Sequence, residues 1–298
     1  MLAALLMAFL ISTSSCQPAT NTSKPSIVVT YSVLGSIVNE LVGDEAAVTV
    51  SVPNGLDPHE WEPSARDIEA INKANLVVEN GLGLEAGLEK TLEVARSRGV
   101  KFFTASDYIR VRYVGPGEGI PSGGLDQVIG APDPHFWTDP VTMKSVVSAL
   151  VSALKQELNL DVAIRATDLE NRLDAFNGEI GSIIAQVPKE DRKLVTGHES
   201  MGYFARRYDF QLIGVVIPSL SSQAGVSAAD IAALKKAIQD NQVKAIFAEL
   251  GTSPAVAKQI GSETGVKVVE LTTHALPADG SYFTFMRNMA TIITDALK

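Results

Sequence analysis

The residues best suited to chemistry are the histidines, of which the chain has only four. Two of them sit in copies of one pentapeptide: Asp57-Pro58-His59-Glu60-Trp61 and Asp133-Pro134-His135-Phe136-Trp137 both read Asp-Pro-His-x-Trp and together use both tryptophans of the chain. Proline fixes its own φ and drives the preceding residue into an extended conformation, so each histidine leaves a stiff corner in a defined direction. An imidazole held that way beside an aromatic wall suits metal ligation. The copies lie 76 residues apart, too far for a local repeat unit. The alternative is two unrelated turns, each with a surface histidine.

The elements that must position these side chains follow from hydrophobic periodicity. β-rich runs at 27–30, 47–52, 76–78 and 100–104 alternate with helical periods, one opened by Ser64-x-x-Asp67, a capping-box pattern. The turn Asn80-Gly81-Leu82-Gly83 follows a strand, but the third glycine comes at Gly87, one place too late for a dinucleotide fingerprint. A Gly- and Pro-rich connection, 113–134, leads to the second Asp-Pro-His. Asp139, with Pro140 behind it, then predicts a helix start. The longest helical pattern, 161–187, carries Leu169, Leu173, Phe176, Ile180 and Ile184 on one face and stops at Pro188. At about 1.5 Å per residue it would run roughly 40 Å, the length of a domain. Strands at 193–196, 210–216, 243–248 and 266–271 follow, alternating with helices at 200–208, 228–239, 254–264 and 281–297.

Such alternation implies parallel sheets with both faces covered. The expected fold is α/β: two four-stranded parallel-sheet lobes with flanking helices, joined by one long spine helix, with the site in the cleft between them. The boundaries are 26–158 for the first lobe, 159–190 for the spine and 191–298 for the second lobe. His59, His198 and His274 each come just beyond the C-terminal end of a strand, and His135 lies in the connection leaving the fourth. Ligands of open parallel sheets bind outside those strand ends. Two histidines from each lobe could therefore converge on one ion, and four nitrogen ligands suit tetrahedral Zn²⁺.

Residues 1–15 are expected to be a signal peptide, because Met1 to Ile11 are almost wholly apolar yet too few to span a bilayer as a helix. Small residues before Cys16 match a bacterial lipoprotein cleavage site, with Cys16 lipidated; an ordinary cleaved signal is the alternative. Cys16 is the only cysteine, so no intrachain disulfide can form. Residues 16–25 read as a tether. A net charge of −9 argues against a nucleic-acid partner.

Several stretches give the chain a family resemblance. Asn54-Gly55-Leu56-Asp57-Pro58-His59-Glu60-Trp61-Glu62-Pro63-Ser64 and Asp133-Pro134-His135-Phe136-Trp137-Thr138-Asp139-Pro140 are the most specific. Val195-Thr196-Gly197-His198-Glu199-Ser200-Met201-Gly202-Tyr203-Phe204 and residues 245–250 are less so. From residue 26 onward the chain resembles the zinc/manganese-type solute-binding lipoproteins of bacterial ABC importers. The resemblance implies two α/β lobes joined by one long helix, a metal between them, an ABC permease as partner, and an extracytoplasmic protein held to the membrane by a lipid on Cys16. It implies a binding protein rather than an enzyme, expected to be monomeric. It carries the ligand roles onto His59, His135 and His198. The family's fourth ligand is usually an Asp in a Thr-Asp-Ser/Ala-Leu segment, and this chain has Thr273-His274-Ala275-Leu276. His274 is therefore expected there, with Asp279 or a water as the alternatives.

Four neutral imidazoles leave the charge of the ion uncompensated, and Glu60, Glu199 and Glu249 are candidates to balance it from behind the ligands. Solvated carboxylates or salt bridges are the plainer readings of the three. An all-imidazole site favours Zn²⁺ over Mn²⁺, which prefers oxygen, although Cu²⁺ and Ni²⁺ would also bind it well; the same receptor role for manganese or iron is the alternative. Zinc specialists of the family often carry a His-rich loop; 113–130 has no histidine. Binding should weaken in acid, because imidazole must be neutral to ligate. A zinc hydrolase with an open coordination position, using Glu199 or Glu249 as base, is the competing reading, but no His-Glu-x-x-His is present. A surface adhesin with a structural metal finds no repeat or aromatic stripe to support it.

Overall fold

The strands at the centre of the first lobe are too apolar to leave either face in water. In a computed structural model, which describes residues 24–118 and 129–298, β1 (Ser26–Tyr31) is buried from its second residue onward. It is followed by α1 (Ser32–Val42), β2 (Ala47–Val52), α2 (Ala65–Lys73), β3 (Leu76–Glu79), α3 (Glu89–Ser97) and β4 (Phe102–Thr104). The four strands form one parallel sheet in the order β2-β1-β3-β4, and helices cover what the strands bury. The Ser64 and Asp67 side chains each accept the other's backbone N–H, so the capping box forms as read. The helical stretch between β3 and β4 is split. Gly81, Leu82 and Gly83 all take positive φ, and a 3₁₀ turn at Ala86–Leu88 precedes α3.

Asp139 caps α4 (Pro140–Leu158), accepting from the Val141 N–H at 3.0 Å, and left-handed Asn159 ends it. The spine is α5 (Ala163–Ile184), 22 residues long. At about 1.5 Å per residue that is roughly 33 Å, shorter than the pattern over 161–187 suggested. The residues at both ends are spent on capping and on the turn before Pro188. Its buried face, Leu169, Leu173, Phe176, Ile180 and Ile184, packs against α4 and α1 and against the C-terminal helix α9.

The second lobe runs β5 (Lys193–Thr196), α6 (Gly202–Tyr208), β6 (Gln211–Val215), α7 (Ala228–Asp240), β7 (Ala245–Ala248), α8 (Pro254–Thr264), β8 (Lys267–Glu270) and α9 (Tyr282–Leu297). Here the structure corrects the expectation of a second four-stranded sheet. β5 pairs with β6 and β7 with β8, both in parallel. β5 lies beside β7, but no ladder joins them among the described residues. Just beyond their C-terminal ends the two pairs meet through side chains: the Gly197 N–H donates to Glu249 Oε1 at 3.1 Å, and a Cβ on Gly197 would overlap Thr252 and Glu249.

One core cluster runs from β1 through α4 and α5 to α9, and a smaller one, including Val195, Leu234, Ile246 and Ile260, lies in the second lobe. Behind the cleft the lobes are fused, with Ser36 Oγ donating to the Gly280 carbonyl at 2.7 Å and accepting the Tyr282 N–H at 3.1 Å. No helix of the described residues is long and apolar enough to cross a membrane. The leader at 1–15, Cys16 and most of the tether lie outside the described residues, as do residues 119–128 of the connection before Asp133.

Candidate metal centre

Both Asp-Pro-His corners use one device. Asp57 Oδ1 accepts the backbone N–H of His59, and Asp133 Oδ1 that of His135, each at 2.9 Å. An Asp side chain bonded to its own backbone two residues on makes a stiff turn. Asp133 goes further, because the same oxygen lies 2.9 Å from His135 Nδ1. An ionised carboxylate only accepts, so Nδ1 carries the proton and Nε2 presents its lone pair; the tautomer is assigned from this network.

His198 follows β5 and His274 follows β8. Thr273 Oγ1 lies 2.9 Å from Glu249 Oε2 and 2.8 Å from His274 Nδ1. Its single proton goes to the carboxylate, so His274 Nδ1–H donates to the hydroxyl and Nε2 is again left free. That Nε2 is buried without a hydrogen-bond partner. His198 Nδ1 lies 3.2 Å from Glu249 Oε2, close enough for attraction but not aligned for a hydrogen bond.

The four rings meet. One nitrogen from each of His59, His135, His198 and His274 lies within 4.8 Å of the others, and all four residues are buried. His135 Nε2 stands 3.2 Å from His59 Nε2 and 3.3 Å from His198 Nε2. Zn–N bonds of ~2.0–2.1 Å at tetrahedral angles put ligand nitrogens about 3.3–3.4 Å apart, so these spacings fit a small four-coordinate ion. Trp137 supplies the aromatic wall for two of the rings, with centroids 5.2 Å from His135 and 5.4 Å from His274. Its Nε1–H donates to the Thr273 carbonyl at 2.8 Å, which ties the second Asp-Pro-His to the segment carrying His274. Trp61, which the repeated motif suggested as a matching wall, is only half-buried, and its carbonyl packs against Gly87.

Burial sets the protonation. It lowers His59 to about 3, with the nearby His198 adding to the effect. Burial, and then the other imidazoles, hold His135 and His274 well below the ordinary histidine value. These rings are therefore neutral at pH 7, the form that ligates.

The carboxylates named from sequence separate. Glu249 is buried, and its oxygens accept from Gly197 N, from Ser200 Oγ at 2.6 Å and from Thr273 Oγ1. Glu199 is buried, with Oε1 unpartnered. Burial, and then the charge of Asp133, push its carboxyl up to about 8, so it is largely uncharged at neutral pH in the metal-free protein. Glu60 is exposed and outside the cluster. Asp279 is exposed too, accepting from the Ser281 N–H at 3.1 Å and from Thr284 Oγ1 at 2.7 Å at the start of α9. Neither Glu60 nor Asp279 is brought to the histidines. Reading the sequence for ligands missed Asp133 and Thr273 as groups that orient them, and missed that Trp137 reaches across to the segment of His274. Asp133 was within reach, since Asp two residues before an N–H is an Asx-turn signal.

The lobes also touch beside His59. Ser222 Oγ donates to Asp57 Oδ2 at 2.6 Å, Gln223 Nε2 donates to the His59 carbonyl at 2.7 Å, and Asn54 exchanges two hydrogen bonds with the backbone of Leu276.

The chain also matches known proteins. Residues 27–296 match the family described as the periplasmic component A of the zinc-uptake complex, ZnuA. The zinc-binding lipoprotein AdcA of Streptococcus pneumoniae is 28% identical over 273 residues, covering 90% of this chain and 53% of AdcA, so the chain spans about half the length of that relative. The manganese ABC transporter substrate-binding lipoprotein PsaA of Streptococcus anginosus is 25% identical over 289 residues, covering 92% of this chain and 89% of PsaA. The solved structure of the periplasmic zinc-binding protein TroA from Treponema pallidum superposes with a TM-score of 0.78 at 24% identity, covering 92% of this chain and 99% of that one. At that identity the likeness shows the fold.

Proposed function

The chain belongs to the ZnuA family of periplasmic metal-binding proteins, which serve import rather than catalysis, and from that premise we propose that its cargo is Zn²⁺, handed to an ABC permease. One observation carries the choice of metal: the four clustered donors are all imidazole nitrogens, with no carboxylate among them. Imidazole suits zinc, whereas manganese favours oxygen ligands. The relatives include a manganese protein, so Mn²⁺ is the rival cargo.

In this reading the protein does no chemistry on the ion. His59 and His135 arrive from the first lobe, His198 and His274 from the second, and the ion joins them. The rings that burial keeps neutral need shed no proton, so capture at pH 7 releases few protons. Release requires the permease to part the contacts beside His59. The fused back of the molecule, with α5 packed on both α1 and α9, favours a small movement of the lobes. Following the lipoproteins it resembles, we assign the chain to the outer side of the cell membrane, anchored through Cys16, and we take it to work as a monomer.

The test is the metal content of protein purified without an affinity tag, followed by competition among Zn²⁺, Mn²⁺ and Ni²⁺. The expected result is one zinc per chain that excess Mn²⁺ does not displace. Manganese held as tightly as zinc would overturn the assignment of cargo.

A further inference from the structure

Behind His135 lies a buried arginine that the ligand set does not explain. Arg112 is 5% exposed. Its Nη1 donates to Asp133 Oδ2 at 2.9 Å, while Asp133 Oδ1 receives the His135 backbone N–H and its Nδ1. The backbone fixes the same pair: the Asp133 N–H donates to the Arg112 carbonyl at 2.9 Å, and the Arg112 N–H donates to Tyr203 Oη at 2.8 Å. The second nitrogen of the fork, Nη2, is bonded to Glu118, which is partly exposed. A third carboxyl, Glu199, also lies within electrostatic range of Arg112.

The guanidinium lies against the other lobe. Gly202, the first residue of α6, packs on it so closely that a Cβ there would overlap both the Arg112 guanidinium and Asp133 Oδ2. Tyr203, the next residue, holds the Arg112 backbone. The second lobe thus presses Arg112 onto Asp133 only a few residues beyond its own ligand, His198.

We propose that Arg112 is a positioning residue for the metal. One arm of its planar fork holds Asp133 Oδ2 while the other is held by Glu118, so that Oδ1 faces the imidazole, and this holds His135 with its Nε2 lone pair directed at the other three rings. A guanidinium suits the task because it is always charged and its donors lie in one plane. The contact with α6 makes that orientation depend on the lobes being together. The metal side of this inference rests on the proposed import function; the orientation of His135 does not, and it can be read without metal.

The test combines ¹⁵N NMR of the histidine rings in metal-free protein with zinc affinity by chelator competition, on the whole chain and on Arg112→Gln and Arg112→Lys. In the native protein His135 should be a single tautomer protonated at Nδ1. Arg112→Gln should mix the tautomers and weaken zinc by about 10–100-fold, the usual size of losing a group that orients a ligand. Arg112→Lys should recover part of both, a rescue that a purely structural role would not give. If Arg112→Gln does not fold, the Lys variant carries the test through a mixed His135 tautomer and an intermediate affinity. Native tautomer and affinity in the folded Gln variant, or in the Lys variant if it alone folds, would overturn the inference. Absence of zinc binding by the native protein would overturn the import reading instead, leaving the tautomer result to judge Arg112.

Discussion

The two lobes each contribute a pair of ligands, but they hold them differently. In the first lobe each histidine is fixed by an aspartate two residues before it, on loops leaving a continuous four-stranded sheet. In the second, His198 and His274 leave separate two-stranded pairs and are linked through one carboxylate, Glu249, by way of Ser200, Thr273 and the Gly197 N–H. The first lobe builds the corners of its half from short sequence motifs. The second assembles its half across a seam. Substitutions in the first lobe should therefore damage one ligand at a time, and those at the seam should disturb two.

The largest effect should come from His135→Ala. Its Nε2 is close to the donors of both His59 and His198, so its loss removes the ring that stands nearest to ligands of both lobes. Zinc affinity should fall by more than the ~10–100-fold typical of an orienting group, as measured by chelator competition; a loss of less than about 10-fold would break the account. His274→Asp should be milder and change preference rather than abolish binding, moving selectivity toward Mn²⁺ by adding an oxygen donor. Competition between the two metals measures it, and an unchanged ratio would argue that His274 is not a ligand.

Glu249→Gln addresses the seam directly. The amide keeps an acceptor, but its NH₂ faces the hydroxyl of Ser200 or the Gly197 N–H, which then lose their acceptor. Stability should drop by about 1–3 kcal/mol, the usual cost of unsatisfied buried donors. Both second-lobe rings should also shift in NMR spectra, whereas His59 should not. A disturbance confined to His198 would contradict the shared hinge.

The pH dependence of the metal-free protein sharpens the same contrast. A histidine in the unfolded chain titrates near ~6.5, while burial holds His59 near 3 in the fold and lowers His135 and His274 as well. Between those values the unfolded chain binds more protons. Stability from the histidines is therefore full above about pH 6.5 and is lost as pH falls toward about 3. Glu199 works in the opposite sense. Its raised folded value, about 8, gives stability that is present below the ordinary glutamate pKa of ~4.3 and is lost as pH rises through about 8. Thermal melts of apoprotein should decline on the acid side of pH 6.5 and, more gently, toward pH 8. A melting temperature that rises on acidification below pH 6 would refute the neutral-ring assignment. The smallest effect should be that of Ser222→Ala, which removes one hydrogen bond to Asp57 across the cleft, worth about 0.5–1.5 kcal/mol.

How much of this was legible in the sequence divides along the same line. The first lobe's strands, the capping box at Ser64 and the two Asp-Pro-His corners are local patterns, and local physics places them. The strand ends also predicted which histidines would meet. The split of the second sheet was not readable, because strands of four residues carry no sign of whether two neighbouring pairs will join in one ladder. Asp279 was misjudged as a rival ligand although Asp279-x-Ser281 and Thr284 form a helix-start pattern, and the structure uses it as one. Glu199 reads from sequence as a counter-charge, and only the structure shows that burial pushes its carboxyl up to about 8 in the metal-free protein. Arg112 lies twenty-one residues before Asp133, and nothing in that spacing announces the contact.

The central claim is that four imidazoles from two lobes close around one zinc ion. X-ray absorption at the zinc edge of the loaded protein tests it directly. The expected result is four nitrogen scatterers at ~2.0–2.1 Å with the multiple-scattering signature of imidazole. A shell dominated by oxygen, or one holding two imidazoles or fewer, would contradict it.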